Sequence, residues 1–292
     1  MSPHHLHHPA QAWSLRVPSP PRILVPPPPF TDDGDAAWDL IPRSPSSSCE
    51  GAKLGFLARV TYGSFKTSAS VLDWKYESRR EAQQILPFLF LGPAIAARDR
   101  KFLRQAGITM LLAVRSTMSA HANLLDGRTT AQDLGLLSEA IDVDSNPELI
   151  AIFPRAITLI NAHLSDVHGR QASATGKVLV YCESGNERSA GVVAAYVMAM
   201  FDTDLIKTIQ IIQAQRFCCS FDESLKTLLE TFADILHARR KVMPAPTTPD
   251  RPSKRKLDVA DSDVDLIIRQ GEADAERFSG RQGQAPFADL AD

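Results

Sequence analysis

Between residues 85 and 240 the apolar positions change their period several times, and each change marks an element. Residues 85–91 form an apolar run closed by Gly92 and Pro93, which reads as a strand. Residues 108–114 are apolar apart from Thr109 and of strand length, as expected for a strand buried on both faces. Residues 177–181 repeat that signal, and residues 136–143 carry a weaker one. Between them the spacing turns helical. Residues 94–105 predict a helix stopped by Gly107. Residues 148–167 place Ile152, Phe153, Ile157, Ile160 and Leu164 on one face, with Pro154 in the first turns, where it is tolerated. Three helices follow, over 188–201, 204–216 and 223–240. The last carries a stripe of Leu225, Leu228, Leu229, Phe232, Ile235 and Leu236. Strands alternating with helices predict an α/β fold, a mostly parallel central sheet with helices on both faces. No internal repeat is visible.

The ends of the chain lack this periodicity. Eleven of the 20 prolines fall in the first 45 residues, including the run Pro26 to Pro29. Such a segment is extended and is expected to bury no core. A plain linker is favoured there over docking to an aromatic groove, and a solvated tail over a metal site at His4, His5, His7 and His8. Residues 51–72 are less polar, without a physical account. Beyond Lys241 a polar tail begins, and within it Arg251-Pro-Ser-Lys-Arg-Lys256-Leu-Asp reads either as a basic nuclear-import cluster or as a chance run. The expected division is therefore a mostly disordered segment at 1–73, a folded domain at 74–241 and a disordered tail at 242–292.

Composition narrows the class. With 44% hydrophobic and 23% charged residues, the 292-residue chain has room for one sizeable core plus appendages. A formal net charge of -2 gives no argument for nucleic acid or a membrane surface. Cys49, Cys182, Cys218 and Cys219 are spaced too irregularly for a disulfide framework or a zinc pattern, which points to a reducing compartment. The longest apolar run, 190–201, is too short to span a bilayer, and no secretory signal is expected. A cytoplasmic or nuclear monomer is the expectation.

The chemistry concentrates in Val178-Leu-Val-Tyr-Cys-Glu-Ser-Gly-Asn-Glu-Arg-Ser-Ala190. A buried strand runs into a tight loop and the loop into a helix, whose N-terminus offers unpaired N–H groups and partial positive charge. The phosphate-binding residues would be Glu183, Ser184, Gly185, Asn186, Glu187 and Arg188, largely through their backbone. Gly185 supplies the backbone freedom of a tight turn. Arg188 can reach back with a planar fork that matches two phosphate oxygens. The dipole and Arg188 together favour a thiolate at Cys182, the nucleophile aimed at a bound phosphoryl group. Ser189 could hydrogen-bond the sulfur and ease its departure.

This stretch resembles the His-Cys-x5-Arg-Ser signature of dual-specificity protein phosphatases, and most of all the serine/threonine/tyrosine-interacting branch. The match extends to Trp74-Lys-Tyr-Glu-Ser-Arg-Arg-Glu-Ala-Gln-Gln-Ile-Leu-Pro-Phe-Leu-Phe-Leu-Gly-Pro93 and to Gln215-Arg-Phe-Cys218. It covers roughly residues 74–240. The resemblance implies a cysteine-phosphatase α/β fold, phosphoprotein ligands such as kinases or ubiquitin-ligase subunits, and no metal or other cofactor. Animal members of that branch have lost the cysteine and are pseudophosphatases; here Cys182 stands.

Other positions depart from the family. Tyr181 replaces the histidine that supports the thiolate. Glu183 and Glu187 add negative charge to a loop meant for a dianion; at an effective dielectric of ~20 and about 7 Å, each like-charge pair costs roughly 2 kcal/mol unless the side chain turns to solvent. The general acid should follow the third strand, in Ile141-Asp-Val-Asp-Ser-Asn-Pro147. Alignment puts Ser145 at its position, so Asp144 is the candidate and Asp142 the reserve. Cys218 and Cys219 read as small core residues rather than redox partners, and Arg79 and Arg80 as surface residues or substrate-docking residues in equal measure. Ser220-Phe221-Asp222 stands where the family has Pro-Asn. The leading expectation is a dual-specificity phosphatase with catalytic Cys182, Arg188, Asp144 and Ser189. The alternative is a phosphoprotein-binding module with little or no turnover. A rhodanese-like sulfur-transfer domain fits less well, because of Arg188-Ser189 and the terminal helices.

Overall fold

The computed structural model describes residues 22–27, 40, 57, 74–122, 125, 127–170 and 175–242. Five strands form one sheet: β1 (Gln83–Leu86), β2 (Leu89–Pro93), β3 (Met110–Ser116), β4 (Leu137–Val143) and β5 (Val178–Cys182). Their order is β1-β2-β5-β3-β4. β1 pairs antiparallel with β2, and every other pairing is parallel. The helices are α1 (Arg100–Ala106), α2 (Thr117–His121), α3 (Arg128–Leu134), α4 (Leu149–Arg170), α5 (Arg188–Phe201), α6 (Leu205–Gln215) and α7 (Glu223–Val242).

The strand alternation sorts side chains between two helical layers. Leu89 and Leu91, Met110, Leu112 and Val114, and Val178 and Val180 face the larger core with α4, α5, α6 and α7. Phe90, Leu111, Ala113, Leu179 and Tyr181 face the smaller core with Leu103 of α1 and Ala131 of α3. That period of two explains why β3 and β5 read as unbroken apolar runs: both of their faces are covered. Helix α5 is buried on nearly all sides, from Ser189 to Met198, as expected for an apolar helix packed between a sheet and three further helices, α4, α6 and α7.

Three local readings change. The run at 85–91 is not one strand but the hairpin β1–β2, turned at Pro87 and Phe88, because Pro fits the first corner of a tight turn. The helix expected at 94–105 begins as a short 3-10 turn, Ala96–Arg98. Its α-helical part starts only after Asp99, whose side chain accepts the Phe102 N–H at 3.0 Å. Residues 117–135, left unassigned by the periodicity, contain the short helices α2 and α3.

The N-terminal segment also needs revision. Residues 22–27 lie extended against the domain, and Ile23 and Val25 are half-buried on the larger core. Leu40 and Leu57 are buried in the same core. This proline-rich stretch therefore does bury apolar surface. The histidines at 4, 5, 7 and 8 and the basic cluster at 251–258 lie outside the described residues. Among the described residues no helix is long and apolar enough to cross a membrane.

Candidate functional site

β5 is the central strand, and its C-terminal end meets the N-terminus of α5. In open parallel sheets ligand sites gather at the carboxyl ends of the strands. Cys182 closes β5 and is 2% exposed. The chain then doubles back through Gly185, whose φ is +72°. A Cβ there would lie 2.3 Å from the Gly92 carbonyl carbon and 2.6 Å from the Pro93 nitrogen. The positive φ and the contact with β2 both demand glycine. The Gly185 N–H donates to Cys182 Sγ at 3.2 Å, and the fully buried Ser189 hydroxyl donates to it at 3.1 Å. Two donors thus converge on one sulfur and fix its position at the start of the loop.

The outer side of the loop rests on Arg216, which is fully buried. Its guanidinium donates to the carbonyls of Gly185 at 3.0 Å and Ser184 at 3.1 Å and to Asn186 Oδ1 at 3.1 Å. It also donates to the carbonyls of Glu81 at 2.7 Å and Arg79 at 3.0 Å, and to Gln83 Oε1. One side chain thus ties the loop to β1 and to the segment before it. Ser220 N–H adds a bond to the Asn186 carbonyl at 3.0 Å. Sequence reasoning missed this residue. The signal available was an arginine closing an apolar helix, within the Gln215-Arg-Phe-Cys218 match.

The cysteines beside Arg216 support the loop as packing. Cys219 is buried, its sulfur 4.0 Å from the Gly185 carbonyl, and burial pushes its thiol far up. Cys218 is raised by burial too, with Arg216 opposing, and it donates to Asn186 Oδ1 at 3.2 Å.

The acidic residues separate into three cases. Glu183 is ion-paired to Arg188 at 2.7 Å and accepts a second bond from the Ser119 hydroxyl. Its carboxylate thus holds the guanidinium that a phosphate would need. Glu187 is exposed and sits at the N-cap of α5, so its charge is spent in solvent. Asp142 is paired with Arg115 across the β3–β4 register, through bonds of 2.7 and 3.0 Å. That bidentate pair corrects the reading of Asp142 as a reserve acid. Asp144 is exposed on the loop directly after β4, and its N–H donates to Glu148 Oε2 at 3.1 Å. Ser145, at the family's acid position, donates to Glu148 Oε1 at 3.3 Å. Two strand spacings separate β4 from β5, about 10 Å.

Tyr181 precedes Cys182 and therefore points to the opposite face of the sheet. It is 1% exposed, and its hydroxyl donates to the Leu125 carbonyl at 3.2 Å. It thereby holds Leu125, which lies between α2 and α3. Arg79 and Arg80 line a cavity of about 440 Å³ with Tyr76, Pro93, Ile95, Glu183 and Ser184. The structure thus sets both arginines beside the loop, with the Arg79 guanidinium 4.8 Å from the centre of the Tyr76 ring.

Comparison with known proteins identifies the family. The family model for the dual specificity phosphatase catalytic domain matches residues 89–234. Serine/threonine/tyrosine-interacting protein A of Xenopus laevis is 30% identical over 185 residues, 62% of this chain and 77% of that protein. Human dual specificity protein phosphatase 13B is 33% identical over 147 residues, 50% of this chain and 69% of that protein. Among solved structures, the human tyrosine phosphatase-like serine/threonine/tyrosine-interacting protein aligns with a TM-score of 0.45 and 30% identity, covering 53% of this chain and 97% of that one. The chain belongs to the dual-specificity phosphatase catalytic-domain family, with serine/threonine/tyrosine-interacting proteins among its relatives.

Proposed function

We propose that the protein is a cysteine-dependent phosphatase acting on phosphotyrosine, phosphoserine or phosphothreonine of protein substrates. The observation that carries this reading is Cys182 Sγ receiving both the Gly185 N–H and the Ser189 hydroxyl, six residues before Arg188. In the first step Cys182 Sγ attacks phosphorus, and the substrate oxygen leaves with a proton from Asp144. The loop amides and Arg188 hold the three non-bridging oxygens, whose charge the α5 dipole also favours. In the second step the Asp144 carboxylate takes a proton from water, the water oxygen attacks phosphorus, and Cys182 departs as a thiolate stabilised by Ser189. No step calls for a metal.

Arg188 must leave Glu183 to bind substrate, and this observation favours a second reading. In that reading the loop binds phosphoproteins, among them kinases or ubiquitin-ligase subunits, with little or no turnover. An aryl phosphate assay across about pH 5 to 8, with Cys182→Ser as control, separates the two. Turnover that vanishes in Cys182→Ser supports the enzyme. Phosphopeptide retention that survives Cys182→Ser and fails in Arg188→Ala, without turnover, supports the binding module.

A further inference from the structure

Residues 22–27, Arg-Ile-Leu-Val-Pro-Pro, are held in a specific way. Their side chains alternate: Ile23 and Val25 turn inward and are half-buried, while Leu24 is 79% exposed. Their backbone is bonded by side chains of two helices. Glu223 Oε2, on α7, accepts the Ile23 N–H at 3.0 Å, and Lys226 Nζ donates to the Ile23 carbonyl at 2.7 Å. Gln210 Nε2, on α6, donates to the carbonyls of Pro26 at 2.8 Å and Pro27 at 3.2 Å. Gln210 is 8% exposed and so has been committed to this contact. Lys226 also pairs with Glu223 at 2.6 Å, and these two bonds hold the Glu223 carboxyl below the usual carboxylate range.

Main-chain bonds plus two pockets for alternate side chains are how proteins read extended peptides. Proline suits the last two places, because it presents a carbonyl without an N–H and is already extended. The connection between α6 and α7 carries Arg216, Cys218 and Ser220, all bonded to the phosphate loop. Gln210 and Glu223 flank that connection, so whatever fills the groove bridges the two helices that support the loop from outside.

We propose that the groove between α6 and α7 is a docking site for extended segments with two apolar residues two apart followed by Pro-Pro, and that residues 22–27 are its resident, displaceable occupant. The partner is a protein presenting such a segment in extended form. Because the resident segment is tethered to the domain, it competes intramolecularly, and a competing segment must overcome it.

The test uses the full chain and a fluorescent peptide of residues 20–30. Replacing Ile23 and Val25 together by serine in the full chain unseats the resident segment with little effect on the core, since both are only half-buried. The peptide should bind this variant at least tenfold more tightly than the wild type. Adding Gln210→Ala and Lys226→Ala should abolish the binding. A control peptide with serine at the Ile23 and Val25 positions should not bind. Hydrogen exchange on the wild-type chain gives a second reading: the Ile23 amide should be protected, and Lys226→Ala should remove the protection. No binding to the unseated variant, equal binding to both chains, or binding that survives the Gln210 and Lys226 substitutions would overturn the proposal. So would an Ile23 amide that exchanges freely in the wild type.

Discussion

Glu183 and Arg188 carry the sharpest consequence at the residue scale. Their ion pair is 2.7 Å long and partly exposed, so it is worth on the order of 1 kcal/mol or less. Glu183→Gln should release Arg188 and lower the KM for an aryl phosphate several-fold, with kcat little changed. An unchanged KM would mean that the pair does not compete with substrate. Arg216 should matter more for the fold than for the chemistry. Arg216→Ala removes a donor from six acceptors, at roughly 1–3 kcal/mol for each one that neither water nor another donor can reach. The expected outcome is a large fall in the thermal midpoint, together with lost anion binding. Cys182 should also react with an alkylating agent before Cys219, whose buried thiol stays protonated. Peptide mass mapping after brief alkylation checks this; modification of Cys219 first would contradict the account.

At the scale of elements, the loop and its flanks were the most legible part. Strand, Gly185, Arg188 and the apolar helix all stand where local pattern placed them, because a tight turn between a buried strand and a helix depends on neighbours in sequence. Contacts between distant segments were not legible. Asp142 looked available until the β3–β4 register set it opposite Arg115. Arg216 looked like a helix end until six acceptors from two distant stretches of chain, 79–83 and 184–186, converged on it. Tyr181 could have been read correctly, since the period of two within β5 sends its ring away from Cys182. The hairpin β1–β2 was hidden because Pro87 lies inside a continuous apolar run. Helix α4 offers a test of packing at this scale. His163 is half-buried and shares a 2.7 Å hydrogen bond with Thr109 Oγ1. Burial holds its imidazole below the ordinary value, against Asp166. A lowered folded value gives stability that is present above the unfolded value of about 6.5 and is lost as pH falls through the folded one. The thermal midpoint should therefore drop as pH falls below about 6.5, and His163→Gln should flatten that slope. An identical slope in the variant would assign the acid sensitivity elsewhere.

For the whole molecule, one sheet serves two purposes. Its larger face packs four helices and carries stability, and its carboxyl edge carries Cys182 at the end of β5, Ser119 in α2 just past β3, and Asp144 just past β4. The proline-rich segment was misread as inert because composition reports that a stretch cannot build its own core, and says nothing of whether it can borrow one. Ile23 and Val25 borrow the core of the domain. The central claim, that this edge forms and resolves a phosphoryl-cysteine, is tested most directly by acid-quenching the protein during turnover of an aryl phosphate and mapping phosphate by mass spectrometry. The account predicts a phosphoryl group on Cys182 in the wild type. It also predicts a higher level in Asp144→Asn when the leaving group is activated enough to need no acid, because the second step still needs the base. Phosphate release without phosphoryl-Cys182 in either protein, or release undiminished in Cys182→Ser, would contradict it.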